Sequence, residues 1–414
     1  MIFPDRLAIP DEVLGIARTL EDAGFETWCV GGAVRDNLLG LENHDFDLTT
    51  AAAPQDVQRL FRRTIPIGVE HGTVAVLDRE NRPHEVTTFR RDVETDGRHA
   101  VVAFGVSLDD DLARRDFTIN AIAYHPLRHE WRDRFGGAGD LERKIIRAVG
   151  DPAQRFREDY LRILRALRFA ARFGFQIDRD TWNAATANVE GLKQLSAERV
   201  RDEWFKGIRM ARWPSGLLDL RRDVGALDRW LPEIEKREAR AGERGTAAVD
   251  QLPPDPVLIT SYLSADPVAT LTRLKCSNAE IERGRRIAEH RKAWPEPVSE
   301  VSVRRWLARV GPAADDLLNL AEAEGWGDVL VETAGQVGRS KAPLSLGHLA
   351  ITGDDLLKAG VPKGPAVGET LRALLDRVLD DPSLNTRDKL LALAAPSPGS
   401  RVPGPEARRR GKPK

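Results

Sequence analysis

The texture of this chain changes at Asp151, and no other feature limits its fold as much. Upstream, short β-branched runs alternate with short helical patterns. A helix is expected over about Asp11 to Ala23, a strand at FETWCV, a turn at Gly31-Gly32, a short helix at AVRDNLLG and a second strand at DFDLTT. Pro54 opens a further helix through Phe61, and GTVAVL and HEVTTF supply two more strands. Downstream, DPAQRFREDYLRILRALRFAARFGF reads as one long helix, and almost everything after it keeps helical spacing. The expected fold is therefore α+β: a mixed sheet flanked by helices, ending near FGGAGDLERKIIRAVG, then an all-helical remainder. Breaks are expected at Trp213-Pro214, in QLPPDP over Gln251 to Pro256, and around Val337 to Pro343. From Pro396 the chain is rich in Pro, Gly, Ser and Arg and reads as a disordered basic tail.

At 414 residues the chain exceeds one compact core, and roughly two to four domains are expected. Hydrophobic residues at 41% and charged residues at 31% describe a soluble globular protein. A net charge of −1 argues against a uniformly cationic nucleic-acid binder, while separate acidic and basic surfaces stay open. Cys29 and Cys276 stand in unrelated contexts. Neither a disulfide framework nor a thiolate zinc site follows, and a reducing compartment is expected. MIFPDRLAIPDEV lacks a signal pattern and no apolar run is long enough to span a bilayer, so the expected location is the cytoplasm.

Two aspartates one residue apart, Asp45 and Asp47 in NHDFDLTT, follow closely on the double glycine of VGGAVRDNLLG. On a strand, residues i and i+2 share a face. Paired carboxylates suit Mg²⁺, which takes oxygen ligands and shares them with substrate phosphates. The glycines let a backbone turn approach those phosphates, and Arg35 in the helix that follows is placed to pair with one. The plainer alternative is a surface DxD beside a tight turn, with Arg35 and Asp36 as a surface ion pair. Glu85 in HEVTTF is a third carboxylate, either completing the metal cage, or taking a proton from an attacking hydroxyl, or standing in water on an edge strand. In LARRDFTINAIAY, Arg114 and Arg115 are candidates to hold phosphate or ribose, with Asp116 orienting one of them; the alternative is a solvated charge cluster. The acidic run Asp109 to Asp111 just before it reads as an exposed loop.

Along the long helix, Glu158, Asp159, Arg162, Arg165 and Arg168 recur near i, i+3 spacing, and the row drifts so that Asp159, Arg162 and Arg165 form the natural cluster. They are either a chain of surface ion pairs or a reader of base edges. Cytosine and adenine both offer an amine donor beside a ring-nitrogen acceptor, whereas guanine and uracil present the opposite order. A carboxylate only accepts and a guanidinium only donates, so Asp beside Arg selects C and A together. Trp204 and Trp213 are candidates to stack on nucleotides, with core packing as the plainer role. No phosphate loop, nucleophile elbow or dinucleotide fingerprint is present.

The ordered set GGAVRD, DFDL, HGTV with HEVTTFR, RRDFTINA and RFREDYLRILRALRFAARFGF closely resembles the class II tRNA nucleotidyltransferase and bacterial poly(A) polymerase family. The resemblance is dense from about Gly31 to Phe175 and returns at LAITGDDLLKAGVPKGPAVGETLRALLDRVLDDPSLN. It implies a polymerase-β-like nucleotidyltransferase head over 1–150, a helical neck over 151–212 that recognises the base, a helical body over 213–336, a helical tail over 337–395 that binds tRNA, and the basic tail over 396–414. By motif position, Asp45 and Asp47 would hold Mg²⁺, and Gly32 and Arg35 would contact the triphosphate. Arg115 with Asp116 would lie at the sugar and phosphate. Asp159 and Arg162 would read the base edge, with Arg165 and Arg168 supporting nucleotide binding, and Glu85 matches an acidic strand position.

The reaction implied is attack by a tRNA 3′-hydroxyl on the α-phosphate of CTP or ATP, with release of pyrophosphate. Within the family, full CCA addition, A-addition alone and poly(A) synthesis compete. IPIGVEHGTVAVL resembles the tRNA-enzyme version of its segment, and RRDVETDGRH over Arg90 to His99 has the length of the family's flexible loop, which CC-adding enzymes tend to lack. An inactive RNA-binding relative would lack one of the metal aspartates or the base-reading pair, and all are present. Arg199, Arg201, Lys206, Arg209 and Arg212 are candidates to grip RNA by its backbone, as are Arg408 to Arg410, Lys412 and Lys414.

Overall fold

The computed structural model describes residues 3–68, 72–95, 100–234, 248–291 and 293–394, so the expected basic tail lies outside the described residues. The chain divides into two compact units, Met1–Gly284 and Arg285–Lys414.

The first unit opens with α1 (Asp11–Asp22), which buries Val13, Ile16, Ala17 and Leu20 at the spacing of one helical face. In chain order there follow β1 (Thr27–Val30), α2 (Gly32–Leu38), β2 (Asp47–Thr50), α3 (Pro54–Leu60), β3 (Thr64–Gly68), β4 (Thr73–Leu77), β5 (Pro83–Thr88), β6 (Arg90–Thr95), β7 (Ala100–Phe104), α4 (Leu108–Ala113), β8 (Ala123–Tyr124), β9 (Trp131–Arg132), α5 (Gly137–Arg143) and β10 (Ile145–Ile146). Seven of the strands make one mixed sheet in the order β3-β4-β5-β2-β1-β8-β9. In it β2 runs antiparallel to β1 and parallel to β5. One cluster, with Cys29, Leu48, Val74 and Val86 from the sheet, packs against Val13, Leu20, Val34 and Phe117. A second cluster gathers Trp28, Val30, Phe89, Leu108, Leu112 and Val149.

Beyond Asp151 come α6 (Pro152–Glu158), α7 (Leu161–Phe173), β11 (Gln176–Ile177), α8 (Arg179–Ala187) and α9 (Ala197–Met210), then helices at Pro214–Asp223, Pro256–Leu263 and Pro267–Arg273. The first of these clusters also takes in Ala166, Phe169 and Ala170 of α7, so one core runs across residue 150. The second unit holds helices at Glu300–Val310, Ala314–Ala323, Gly327–Arg339, Gly353–Lys358, Pro365–Asp380 and Arg387–Ala394. Its own cluster joins Leu349, Ile351, Leu356, Leu374, Val378 and Leu390. No helix of the described residues is long and apolar enough to cross a membrane.

Five expectations are corrected. The second strand starts at Asp47, not Asp45, because Val30 opposite Asp47 is the last residue of β1 to pair and Gly31 then turns away with φ 79°. RRDVETDGRH begins as strand, β6 pairing antiparallel with β7, and its last four residues lie outside the described set. The acidic run at Asp109 to Asp111 is helix α4, started by a reciprocal capping box between Ser107 and Asp110. The single long helix is two, α6 and α7, broken at Asp159. The region after Asp151 is not purely helical, since β11 pairs parallel with β10.

Candidate nucleotide and metal site

The end of the β1–β2 ladder builds the floor of the site. Leu48 pairs with Val86 across the parallel ladder, which carries Glu85 alongside Asp47. Because β5 lies between β4 and β2, Glu85 is not on an edge strand. Both carboxylates line a cleft of about 380 Å³ together with Arg115, Asp116, Asp159, Arg162, Arg165 and Arg199. Asp45 is exposed, just outside β2. Burial pushes the Asp47 carboxyl up to about 6, the charges of Glu85 and Asp45 add to the rise, and Arg115 pulls the other way. A Cβ at Gly31 would stand 3.2 Å from Arg115 Nη1 and 3.9 Å from Asp47 Oδ2. The positive φ favours glycine at this turn, and a Cβ there would have to push the guanidinium aside.

The wall beside the floor is a relay of polar contacts centred on Asp116. Asn120 Nδ2 donates to Asp116 Oδ1 at 2.9 Å, and Arg165 Nε donates to Oδ2 at 2.8 Å. Burial alone would raise the Asp116 carboxyl. The Arg165 guanidinium, the hydrogen bonds from Asn120 and Arg165, and the charge of Arg162 outweigh it and hold the group down to about 2. Arg35 stands behind this wall and does not line the cleft. It is 3% exposed, donates to Asp36 at 2.8 and 2.6 Å and to Asn120 Oδ1 at 2.5 Å, and lies over the Phe169 and Phe173 rings. The Arg35–Asp36 pair is thus buried rather than a surface pair, and burial lowers the Arg35 pKa. Gly32, the first residue of α2, packs near the Arg35 guanidinium.

The break between α6 and α7 aims Asp159 into the cleft. Its backbone is extended (φ −155°, ψ 104°), and its Oδ1 accepts the Leu161 N–H at 3.0 Å, which satisfies a free donor at the start of α7. Its Oδ2 accepts Arg199 Nη2 at 2.8 Å. Arg162 lines the same cleft but does not pair with Asp159. Its Nη1 donates to Glu158 Oε2 at 2.8 Å and to the Arg155 carbonyl at 3.1 Å, and its Nη2 to the Arg114 carbonyl at 3.2 Å. An i, i+3 pair of Asp159 with Arg162 needs an unbroken helix, and the extended backbone at Asp159 is why that pairing fails. Arg168 has drifted round to the core: it is 5% exposed, bonded to Glu203, with its guanidinium 4.2 Å from the Phe169 ring centroid.

Trp204 is buried, its Nε1 donating to Thr260 Oγ1 at 2.9 Å, so it is no stacking platform, whereas Trp213 is exposed. Of the expected RNA-gripping cations, Arg199 belongs to the cleft and half-buried Arg201 bonds Asp202 and the Lys275 carbonyl. Lys206, Arg209 and Arg212 are exposed.

The cleft also takes in residues that the sequence does not place there, among them Asp111 and Arg199. Asp111, read as exposed loop, is 1% exposed and faces it from α4. The S-x-x-D pattern at Ser107 and Asp110 was the local signal that a helix starts there. Arg199, a candidate for RNA contact by sequence, pairs with a residue 40 positions away, which no local pattern reveals.

The buried side-chain atoms without a hydrogen-bond partner among the described residues include Asp111 Oδ1, Arg115 Nε and Arg199 Nη1, and all three of these residues line this cleft. Buried polar atoms are seldom left so, and their concentration here marks a site built for a polar ligand. No group of three His, Cys, Asp or Glu among the described residues forms a metal cage by itself. Asp47 with Glu85 and Asp45 nearby is instead a partial set of hard oxygen donors whose mutual repulsion a divalent cation would relieve. The donor chemistry fits Mg²⁺ completed by phosphate oxygens. Carboxylates for a cation, guanidiniums for phosphates and an acceptor–donor wall for a base edge together suit phosphoryl transfer from a nucleotide.

The chain is similar to known proteins along most of its length. The chain matches the family described as the poly A polymerase head domain over residues 27–147, and that described as the probable RNA- and SrmB-binding site of polymerase A over 174–237. It is 34% identical over 400 residues to the CCA-adding enzyme of Limosilactobacillus fermentum, covering 92% of this chain and 95% of that one. With the CCA-adding enzyme of Lactiplantibacillus plantarum the identity is 36% over 399 residues, covering 92% and 94%. Among solved structures, the Bacillus stearothermophilus CCA-adding enzyme in complex with CTP superposes with a TM-score of 0.77 at 31% identity, over 93% of this chain and 96% of that one.

Proposed function

Since this chain belongs to the family of CCA-adding enzymes, we propose that it is a tRNA 3′-end nucleotidyltransferase, adding C, C and A from CTP and ATP without a nucleic-acid template. The observation that carries the reading at the level of residues is the cleft itself: Asp47 and Glu85 on its floor, with unpartnered buried guanidinium N–H groups of Arg115 and Arg199 around them.

In this reading Asp45 and Asp47 hold Mg²⁺, with Glu85 beside them either as a further ligand or as the group that takes the proton from the attacking hydroxyl. The bound metal supplies acidification of the RNA 3′-hydroxyl and neutralisation of charge on the phosphates. Arg115 faces the triphosphate across the Gly31–Gly32 turn. Arg35 acts from behind, through Asn120, to fix Asp116, and Arg165 holds Asp116 from the other side. Asp159 accepts from the exocyclic amine of C or A, since each carboxylate oxygen keeps a lone pair beyond its bond to Leu161 or Arg199. Arg162 donates to the ring nitrogen, and Arg168 braces α7 against Glu203. The 3′-hydroxyl attacks the α-phosphate, the bond to the β-phosphate breaks, and pyrophosphate leaves. The division into head (1–150), neck (151–212), body (213–336) and tail (337–395) is carried with this proposal. So are tRNA-backbone contacts at Lys206, Arg209 and Arg212 and a cytoplasmic setting, which suits two buried free thiols.

The test uses tRNA transcripts ending before CCA, after C, or after CC, given CTP or ATP alone and together. Ordered addition of C, C and A that stops there, and that ceases on chelation of divalent ions by EDTA, is the expected result. Runs of many A residues would replace this reading with poly(A) synthesis, and activity confined to the CC-ending transcript would replace it with A-addition alone.

A further inference from the structure

We propose that Asp111 is a positioning residue for nucleotide binding, holding the Arg115 guanidinium over the Gly31 turn where it meets the triphosphate. This rests on the reading of Arg115 given above.

Asp111 is 1% exposed, a charge placed where an aspartate is seldom found without a task. The capping box at Ser107 fixes the start of α4, and Asp111 is its fourth residue, one turn before Arg115. Its Oδ2 accepts Arg115 Nη2 at 3.2 Å and Thr49 Oγ1 at 3.4 Å. Thr49 lies two residues beyond Asp47 on the same strand, so one carboxylate oxygen ties the cation to the strand that carries the metal ligand. On the far side of the guanidinium, Nη1 reaches to 3.2 Å from where a Gly31 Cβ would stand. Arg115 is thus gripped by Nη2, presses Nη1 on the turn, and leaves Nε buried and unpartnered.

Neither charge is fully satisfied by the other: Asp111 Oδ1 makes no hydrogen bond and has Arg114 Nη1 at 4.0 Å, in ion-pair range only. A pair that fulfilled all its bonds internally would resist a ligand. This one holds the cation in place while leaving donor capacity for an anion, so that little reorganisation accompanies binding. The contribution is made to the bound ground state and the transition state alike, so it appears in KM rather than kcat. Both nucleotides carry the same triphosphate, so CTP and ATP are affected equally.

The experiment is a double-mutant cycle between Asp111→Asn and Arg115→Ala, read by KM and kcat for CTP and ATP, by equilibrium binding of each nucleotide, and by thermal melting. Asp111→Asn is expected to raise KM and weaken binding of both nucleotides roughly tenfold, with kcat within about twofold of wild type. In the Arg115→Ala background the same change is expected to add less than about twofold. If it adds its full factor there, or leaves binding of both nucleotides intact in the wild-type background, the proposal is overturned while the reading of Arg115 stands. If Arg115→Ala itself leaves nucleotide binding unchanged, the reading of Arg115 fails, and with it this proposal. Should Asp111→Asn not fold, Arg115→Lys is the second variant. It keeps the charge and loses the planar fork that meets Asp111 with one nitrogen and the Gly31 turn with the other, and wild-type KM values for it would equally overturn the proposal.

Discussion

Glu203 shows how much a single buried side chain can carry. It is 4% exposed, bonds Arg168, and is the charge that offsets burial at Arg221, which is 1% exposed over the Trp204 ring and pushed down to about 10. Removing the acid strands two buried cations. Glu203→Leu is expected to cost about 3 kcal/mol or more in urea denaturation; a loss under about 1 kcal/mol would mean that water reaches the pair. Asp116 gives a prediction with a pH sign. Its folded pKa is depressed to about 2, so its stabilisation is fully present above the unfolded value near 4 and is lost as pH falls toward 2. Asp116→Asn should therefore lower stability by about 2 kcal/mol at pH 6, with the deficit shrinking as acid is added down to pH 2. A deficit independent of pH would assign the loss to packing instead.

Among the elements, the break between α6 and α7 matters most to the site. Arg and Leu spacing through RFREDYLRILRALRF supports a continuous helix on propensity alone, yet the chain bends at Asp159–Tyr160. The Tyr160 ring occupies the space above Gly191, where a Cβ would stand 2.0 Å from its nearest atom, and that close approach is available only to glycine. Gly191→Ala is expected to displace Tyr160, costing about 2 kcal/mol in thermal or urea denaturation and raising KM for CTP and ATP through Asp159. Wild-type stability with wild-type KM would show that the ring has room to move and that the bend does not depend on it. The strands of the head were readable because alternation and β-branched runs are local signals. The start of β2 was not, since it depends on where Gly31 carries the partner strand away.

At the scale of the whole molecule, the two units have hydrophobic clusters of their own. Leu356 is fully buried in the second. Leu356→Ala is expected to lower the stability of that unit by about 3 kcal/mol, seen as faster amide exchange across residues 349–394, with head amides and nucleotide KM unchanged. Matching loss of protection in the head would show that the units unfold together.

Residue type and order alone determined the chemistry: the paired aspartates, the glycine turn, the third carboxylate and the Arg-rich segment are recognisable because hard oxygen donors, small turns and guanidiniums have intrinsic preferences that do not wait for folding. Tertiary structure decided which of these groups face the cleft. Arg35 and Arg168 went to the interior, Asp111 came to the cleft, and Asp159 took Arg199 rather than Arg162 as its partner. Those outcomes turn on which backbone covers a charge and which opposite charge lies within about 3 Å of it. Both are set by segments far apart in the chain, and no local pattern encodes them.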